Sequence, residues 1–371
     1  MPLETFITVR VAINGFGRIG RCFYRALLED KGSDIDAAVI NSTSPPRTLA
    51  HLLKYDSNYG TLPINVGWDS EGITCAGKEI PCLSETNSSR IDWGKFEIDA
   101  VLESTGQGLQ REELKTIITN GAQTVLVSAP SEEADITLIP GCNLESYDPI
   151  HHKIISMGSC TTNCLALSLK VLDDNFRVTR GFATTVHSYT SDQRLLDGSH
   201  EDLRRARAAG QSLIPTRTGA SQTIGKVLPR LKGKITCSAI RAPTSTVSLL
   251  DLVVECGRDV SRNDVNNAYE RASTESLNGI LAISNEPLVS IDYKKDPHSA
   301  IIDGLSTGTN GSMVRVLAWY DNEWAYATRL IDTFKRIERP ALMPQVRSQK
   351  SSEDDQTAPA SLSRRSRRAV R

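Results

Sequence analysis

Apolar and polar positions follow two different rhythms along the 371-residue chain. In the first part, short apolar runs are separated by stretches with helical spacing. VRVAIN (Val9–Asn14) reads as a strand, and RCFYRALLED behind it as a helix. DIDAAVIN (Asp34–Asn41), IDAVLEST (Ile98–Thr105) and TVLVSAP (Thr124–Pro130) are further strands, with a helical REELKTIITNGA between the last two. Strand, helix, strand in repetition predicts a parallel sheet with helical crossovers. IISMGS (Ile154–Ser159) is one more strand and leads into a helix starting about Cys160. After that the rhythm changes. FATTVHSYT, KITCSAIRAPT and TVSLLDLVVEC are longer runs with partial alternation, which predict an antiparallel or mixed sheet in a second domain. RNDVNNAYERAS is helical and MVRVLAWYDNEW is a strand. The amphipathic ATRLIDTFKRIE is expected to return to the first domain.

Between the first strand and helix stands GFGRIG, with Gly15, Gly17 and Gly20. A strand, a glycine turn and a helix in that order open a dinucleotide-binding βαβ unit. Gly15 permits the tight turn, Gly17 lets backbone approach a pyrophosphate, and Gly20 lets helix and strand pack closely. The helix N-terminus offers N–H groups to phosphates. The expected fold class is therefore α/β: an N-terminal Rossmann domain over residues 1–159 and a C-terminal α+β catalytic domain with a mixed sheet over 160–325. A helix at 326–339 returns to the first domain.

Composition narrows the class. Charged residues are 23% and net charge is −1, so no single-sign field dominates. No apolar run approaches the ~20 residues of a membrane span, so no membrane partner is expected. MPLETFITVR lacks a basic segment with an apolar stretch behind it, so a cytoplasmic protein is expected. Eight cysteines without a CxxC pair, and no HExxH, argue against a disulfide scaffold and a metal site. Residues 341–371 carry seven Lys+Arg against three Asp+Glu and no aromatic residue. This Ser- and Arg-rich stretch, 340–371, reads as a disordered basic tail.

Cys160 lies in SMGSCTTNC, at a helix start that favours a thiolate. Cys164, one turn on, is the weaker candidate. His187 follows at a strand end, in TTVHSYTSDQR, and a Cys–His pair allows nucleophilic thiol chemistry. Arg204, Arg205, Arg207, Arg241 and the Thr218–Gly219 turn add anion-binding capacity. A nucleotide fold, a thiol and phosphate-type contacts suggest one chemistry. A thiolate adds to an aldehyde, hydride passes to a nicotinamide, and phosphate cleaves the thioester.

INGFGRIGR, LLKYDSNYG, SCTTNC, HSYTSDQRLLD, DLRRARAA, IPTRTGA and WYDNEW are long motifs. Through them Val9 to Ile337 resembles the phosphorylating glyceraldehyde-3-phosphate dehydrogenase family, with the closest likeness to its chloroplast and cyanobacterial NADP-using form. The resemblance implies a homotetramer acting on a sugar phosphate and inorganic phosphate. It makes Cys160 the acyl-accepting nucleophile and His187 its activating base. It assigns Ser159, Thr161, Thr218, Gly219 and Arg205 to the attacking phosphate, and Thr190 and Arg241 to the substrate's own phosphate. Arg18 and Ile19 match contacts to the cofactor pyrophosphate, and Ser128 and Asn322 match the nicotinamide side. Gly158 stands where the family has Ala, Ala325 where it has Gly, and Thr86 where an adenine-side Arg often sits. The basic tail has no cysteine, so a redox switch there is not implied.

Cofactor choice is expected to favour NADP, with NAD also used. The second strand of a Rossmann domain usually ends in an acid that binds the ribose hydroxyls. In NAD-dependent relatives an Asp follows the Asn matched by Asn41; here it is Ser42, then Thr43, Ser44 and, slightly on, Arg47. Ser199 replaces a Pro common in NAD-specific relatives, in a loop that reaches a neighbour's cofactor in the tetramer. Two other readings stay open. PLVSIDYKKDPHSAIIDG resembles the erythrose-4-phosphate dehydrogenase branch, although Thr190 and Thr218–Gly219 are intact. A non-catalytic nucleotide- or nucleic-acid-binding protein using the basic tail is the third, with nucleic acid not the expected partner.

Overall fold

A computed structural model describes residues 8–32, 34–107 and 109–336, which belong to one contact-connected unit. The basic tail lies outside the described residues.

The chain opens with β1 (Val9–Asn14), α1 (Arg18–Glu29) and β2 (Ile35–Asn41), as the GFGRIG turn predicts. Then come α2 (Pro46–Lys54), a hairpin of β3 (Tyr55–Asp56) and β4 (Gly60–Thr61), and β5 (Val66–Trp68), β6 (Gly72–Cys75) and β7 (Lys78–Leu83). β8 (Ala100–Glu103), α3 (Arg111–Thr119), β9 (Thr124–Val127), β10 (Ile136–Thr137) and β11 (Ile154–Ser156) complete the first sheet. Its order is β10-β11-β9-β8-β1-β2-β7-β6-β5. Pairings from β10 to β7 are parallel, and β7-β6-β5 form an antiparallel edge. That edge and the hairpin have no counterpart in the sequence reading, because their strands are short and, β6 apart, lie half-exposed or exposed with weak alternation.

The glycines act as expected. Gly15 has φ +97°, and a Cβ there would meet the Ser104 carbonyl carbon at 2.6 Å. At Gly20 a Cβ would lie 2.3 Å from the Gly15 oxygen, so α1 packs on the turn only without a side chain.

The second sheet follows α4 (Cys160–Phe176), which starts where the sequence places it. β12 (Val178–Ser188), β13 (Ile214–Thr216), α5 (Ala220–Val227), β14 (Ile235–Ala242), β15 (Ser248–Cys256), α6 (Arg262–Thr274), β16 (Leu281–Ser284), β17 (Ala300–Asp303), β18 (Gly308–Asn310) and β19 (Met313–Tyr320) make up this half. Strand order is β13-β14-β12-β15-β19-β17-β16, with β18 on β19, in mixed directions. β15 alternates buried and half-buried residues without a break, the period of a sheet with one covered face. α4 is buried almost throughout and anchors this second core with Leu165 and Leu169, joined there by Tyr269 of α6.

The last helix, α7 (Trp324–Arg336), begins two residues before the expected 326, and its end toward 339 lies outside the described residues. Its face packs on the first half: Phe334 meets Phe23 of α1 edge-on at 5.6 Å, and Leu330 joins the same core. Among the described residues no helix is long and apolar enough to cross a membrane.

Candidate active site

Cys160 is the first residue of α4, and Ser159 is its N-cap, accepting from Thr162 N at 3.0 Å. The Cys160 Sγ lies 3.4 Å from His187 Nε2, brought there by the end of β12. His187 Nδ1 sits 2.8 Å from the Ser188 carbonyl oxygen and 2.8 Å from Arg241 Nη1, which also donates to that oxygen at 3.0 Å. Register makes this possible: His187 and Arg241 are paired residues on the neighbouring strands β12 and β14. Tyr320 stands edge-on to the imidazole, and its hydroxyl joins Thr161 Oγ1 at 2.9 Å and Thr185 Oγ1 at 2.7 Å.

Electrostatics set the proton inventory. Burial, then the Arg241 charge, then Arg205, pull His187 down to about 3, although the Ser188 oxygen opposes them. Burial pushes the Cys160 thiol up to about 11, against Arg241 and the Thr161 N–H. The helix N-terminus therefore works against desolvation, a balance that motif reading does not reveal. Between those limits the sulfur keeps its proton and the imidazole is neutral. Cys164 is fully buried, and burial drives its thiol up further, so it is no competitor.

The expected phosphate residues gather in part. Arg205 acts by charge on both His187 and Arg241. Arg205 is held by Asp192 and by Thr216 Oγ1, the latter at 2.9 Å. Gly219 caps α5 without a side chain, and the Thr218 hydroxyl accepts from Ala220 N at 3.3 Å. Thr190 receives Gln193 N on its carbonyl at 3.0 Å. Two buried donors, Arg241 Nε and Gln193 Nε2, have no acceptor. A buried unpaired donor asks for a ligand.

A groove of about 630 Å³ runs over the C-terminal ends of β1, β2 and β8, lined by Asn14, Gly15, Gly17, Ser42, Glu85 and Thr105 among others. Around Gly17 there is open space. Gly17 gives α1 no side-chain cap, which leaves the N–H groups of Arg18, Ile19 and Gly20 for a phosphate. A pyrophosphate-bearing dinucleotide fits this cradle. The Arg18 guanidinium is turned to Asp56 and Glu323, so it is the Arg18 backbone that is left for the cradle. Arg47 lines a separate cleft with His51, Tyr55 and Trp68. Ser42 Oγ accepts from Ser44 N at 3.3 Å and keeps its proton to donate. Ser128 donates to the Glu103 carbonyl at 2.9 Å. Asn322 Oδ1 accepts from Ser188 and Ser248 hydroxyls at 2.9 and 3.1 Å, which fixes the amide. Ser199 lies exposed in a loop and is not among the groove-lining residues. Among the described residues no group of three or more His, Cys, Asp or Glu is placed to hold a metal.

Residues 9–111 match the family model described as glyceraldehyde 3-phosphate dehydrogenase, NAD binding domain, and residues 159–322 match the one for its C-terminal domain. Glyceraldehyde-3-phosphate dehydrogenase 2 of Streptomyces avermitilis is 47% identical over 327 residues, 88% of this chain and 97% of the relative. The chain belongs to the glyceraldehyde-3-phosphate dehydrogenase family. The enzyme of that name from Geobacillus stearothermophilus is 48% identical over 327 residues, and enzyme 2 of Trichormus variabilis 48% over 326; each match covers 97% of the relative.

Four residues of this glyceraldehyde-3-phosphate dehydrogenase family member went unassigned in the sequence, Tyr320 and Gln193 near the reacting centre and Asn14 and Glu103 beneath the groove. Tyr320 and Gln193 sit inside motifs used for recognition, WYDNEW and HSYTSDQ, yet neither reacts, so chemistry alone gave no reason to single them out. Asn14 and Glu103 end strands, and the hydrogen bond that joins them is visible only in the structure.

Proposed function

We propose that this chain interconverts glyceraldehyde 3-phosphate, phosphate and NAD(P)+ with 1,3-bisphosphoglycerate and NAD(P)H through a thioester on Cys160. The observation that carries this is the 3.4 Å contact of Cys160 Sγ with His187 Nε2 beside the Arg241 guanidinium. Residues 1–159 form the dinucleotide half and 160–325 the catalytic half. When the aldehyde arrives, its phosphate takes Arg241, Thr190 and the unpaired Gln193 Nε2. Anion binding at Arg241 offsets the charge that depresses His187, and so favours proton transfer from sulfur to Nε2. The Ser188 oxygen then supports the imidazolium through Nδ1–H. Cys160 sulfur bonds to the aldehyde carbon and the oxygen takes a proton from His187. His187 takes that hydroxyl proton back as hydride leaves the carbon, and a thioester remains. The nicotinamide, when bound, accepts the hydride. Asn322 holds its carboxamide from one side, with Ser128 near the same end. Inorganic phosphate, held by Ser159, Thr161, Thr218, Gly219 and Arg205, attacks the thioester carbon; sulfur leaves and recovers the proton from His187. Phosphate-dependent reduction of nicotinamide, absent with non-phosphorylated aldehyde, tests the reading; turnover indifferent to phosphate would contradict it.

NADP is the preferred cofactor in this reading, as in the NADP-using forms the sequence resembles. The end of β2 carries Ser42, Thr43 and Ser44 in place of a carboxylate, so a 2′-phosphate meets hydroxyl donors instead of repulsion. Glu85 also lines the groove, but its carboxylate already accepts from Asn87 N at 2.9 Å. A tetramer accords with the wide exposure of Leu195, Leu196 and Leu203, at 80, 73 and 82%. Light scattering that gives a monomer's mass would remove that part. A cytoplasmic location completes the proposal.

A further inference from the structure

Beneath the groove lies a chain of three buried polar side chains that the reaction does not use. Glu103 ends β8, Asn14 ends β1 and Asn41 ends β2, and none is more than 3% exposed. These strands are neighbours in the sheet, so their last residues lie side by side at its C-terminal edge. One Glu103 oxygen accepts from Asn14 Nδ2. The other accepts from Thr105 N at 2.8 Å and from the Thr105 hydroxyl. Asn14 Oδ1 accepts from Asn41 Nδ2 at 2.7 Å. Asn41 then imitates a strand. Its Nδ2 donates to the Glu85 carbonyl and its Oδ1 accepts from Glu85 N, both at 2.9 Å.

We propose that Glu103 is the positioning residue for the adenosine end of the cofactor. Through Asn14 and Asn41 its carboxylate holds the two segments that line the ribose end of the groove, residues 42–44 and 85–87. The proposal rests on the reading of this groove as the dinucleotide site.

Each link runs in one direction only. An ionised carboxylate accepts and cannot donate, so the Asn14 edge that faces it is the NH₂. That turns the Asn14 oxygen to Asn41, whose facing edge is then also an NH₂. The Asn41 oxygen is left for the Glu85 N–H. The Glu85 backbone demands the same polarity from its own side, so the chain is determined at both ends. The segments it holds are otherwise lightly tied: Ser42 N donates to the Leu83 oxygen at 2.9 Å, and the rest is turn. Burial raises the Glu103 carboxyl, and the bonds from Thr105 and Asn14 oppose that rise, so these donors are what keep the anion in place. An amide cannot replace it. A glutamine would present an N–H either to Asn14 Nδ2 or to Thr105 N, and two buried donors facing each other are both unpaired.

Titration calorimetry of the full chain with ADP-ribose and with its 2′-phosphate, beside kinetics at varied cofactor, tests this. Glu103→Gln is expected to weaken both ligands and raise the cofactor KM by about tenfold, while kcat at saturating cofactor changes by less than about twofold. A double variant separates positioning from a folding defect. Glu103→Gln with Asn14→Asp moves the carboxylate one link along and restores every donor–acceptor match. It is expected to recover about threefold or more of the lost affinity. Unchanged affinity in Glu103→Gln, or a double variant no tighter than the single one, overturns the positioning role. If the unaltered chain binds neither ligand, the groove reading itself falls, and the proposal with it.

Discussion

At Cys160 the reacting atoms belong to side chains, and other side chains hold them: His187 on the sulfur, Arg241 on the imidazole, Tyr320 on Thr161 and Thr185. Along the groove α1 begins at Gly17 without a side-chain cap and with open space beside it, and buried polar side chains lie underneath. The two regions should therefore answer substitution differently. Removing a reacting side chain removes the reaction. Altering the groove should shift affinity and selectivity while leaving the chemistry intact.

The sharpest break comes at the thiol. Cys160→Ser is expected to lower turnover by on the order of 10⁴-fold or more while cofactor still binds, as for other nucleophiles removed from a coupled set. Steady-state assay with calorimetry checks both halves of the statement. Near-normal turnover in that variant, with loss in Cys164→Ser, would mean the wrong thiol has been chosen.

His187→Asn is next, with a loss of about 10²–10⁴ in acylation rate, the usual worth of a general base. It also has a stability signature. His187 is held neutral when folded and protonates near 6.5 when unfolded. Below 6.5 the unfolded chain therefore binds the extra proton, and this residue's contribution to stability is lost as pH falls toward about 3. Melting curves from neutral to acid pH should fall less steeply in His187→Asn than in the unaltered chain. Parallel curves would show that the imidazole is not kept neutral.

Arg18 tests the boundary between the regions. It sits in the glycine turn's helix but binds Asp56 and Glu323, the latter next to Asn322. Arg18→Met should cost about 1–3 kcal/mol of stability, less than a fully buried pair because the guanidinium is partly exposed. Chemical denaturation measures it. Unchanged stability would show that the ion pairs with Asp56 and Glu323 contribute little.

Ser42→Asp acts on the groove alone. It should shift selectivity toward NAD, with a penalty for NADPH of about 1–3 kcal/mol if a charge-assisted bond is lost. A kcat/KM favouring NAD by about tenfold in the unaltered enzyme would defeat the NADP preference. The smallest effect is expected from ending the chain after Arg339. Residues 340–371 are polar and basic with no apolar pattern, so activity and melting temperature should stay within about twofold and a few degrees. A large loss of either would show that these residues support the fold.

The same contrast explains what could be read in the sequence. Cys160, His187 and the GFGRIG turn announce themselves because reactivity and glycine geometry limit which residues serve. The strand–helix rhythm gave the parallel core of the first sheet and the change to mixed pairing after α4. The antiparallel β5–β7 edge was hidden because its residues face solvent as often as core. The direction of the Arg18 side chain was not legible, because it depends on Glu323, 305 residues away. The Glu103–Asn14–Asn41 chain was illegible for the same cause, since its links span 89 and 27 positions.

The account turns on a covalent acyl group at one sulfur. Incubating the chain with glyceraldehyde 3-phosphate and oxidised nicotinamide cofactor, without phosphate, should trap the thioester. Acid quenching, proteolysis and mass spectrometry then locate it. The prediction is a 3-phosphoglyceroyl mass on the peptide that contains Cys160, lost in Cys160→Ser and discharged when phosphate is added. The same mass on Cys164, or reduced cofactor with no acylated peptide, would contradict the account.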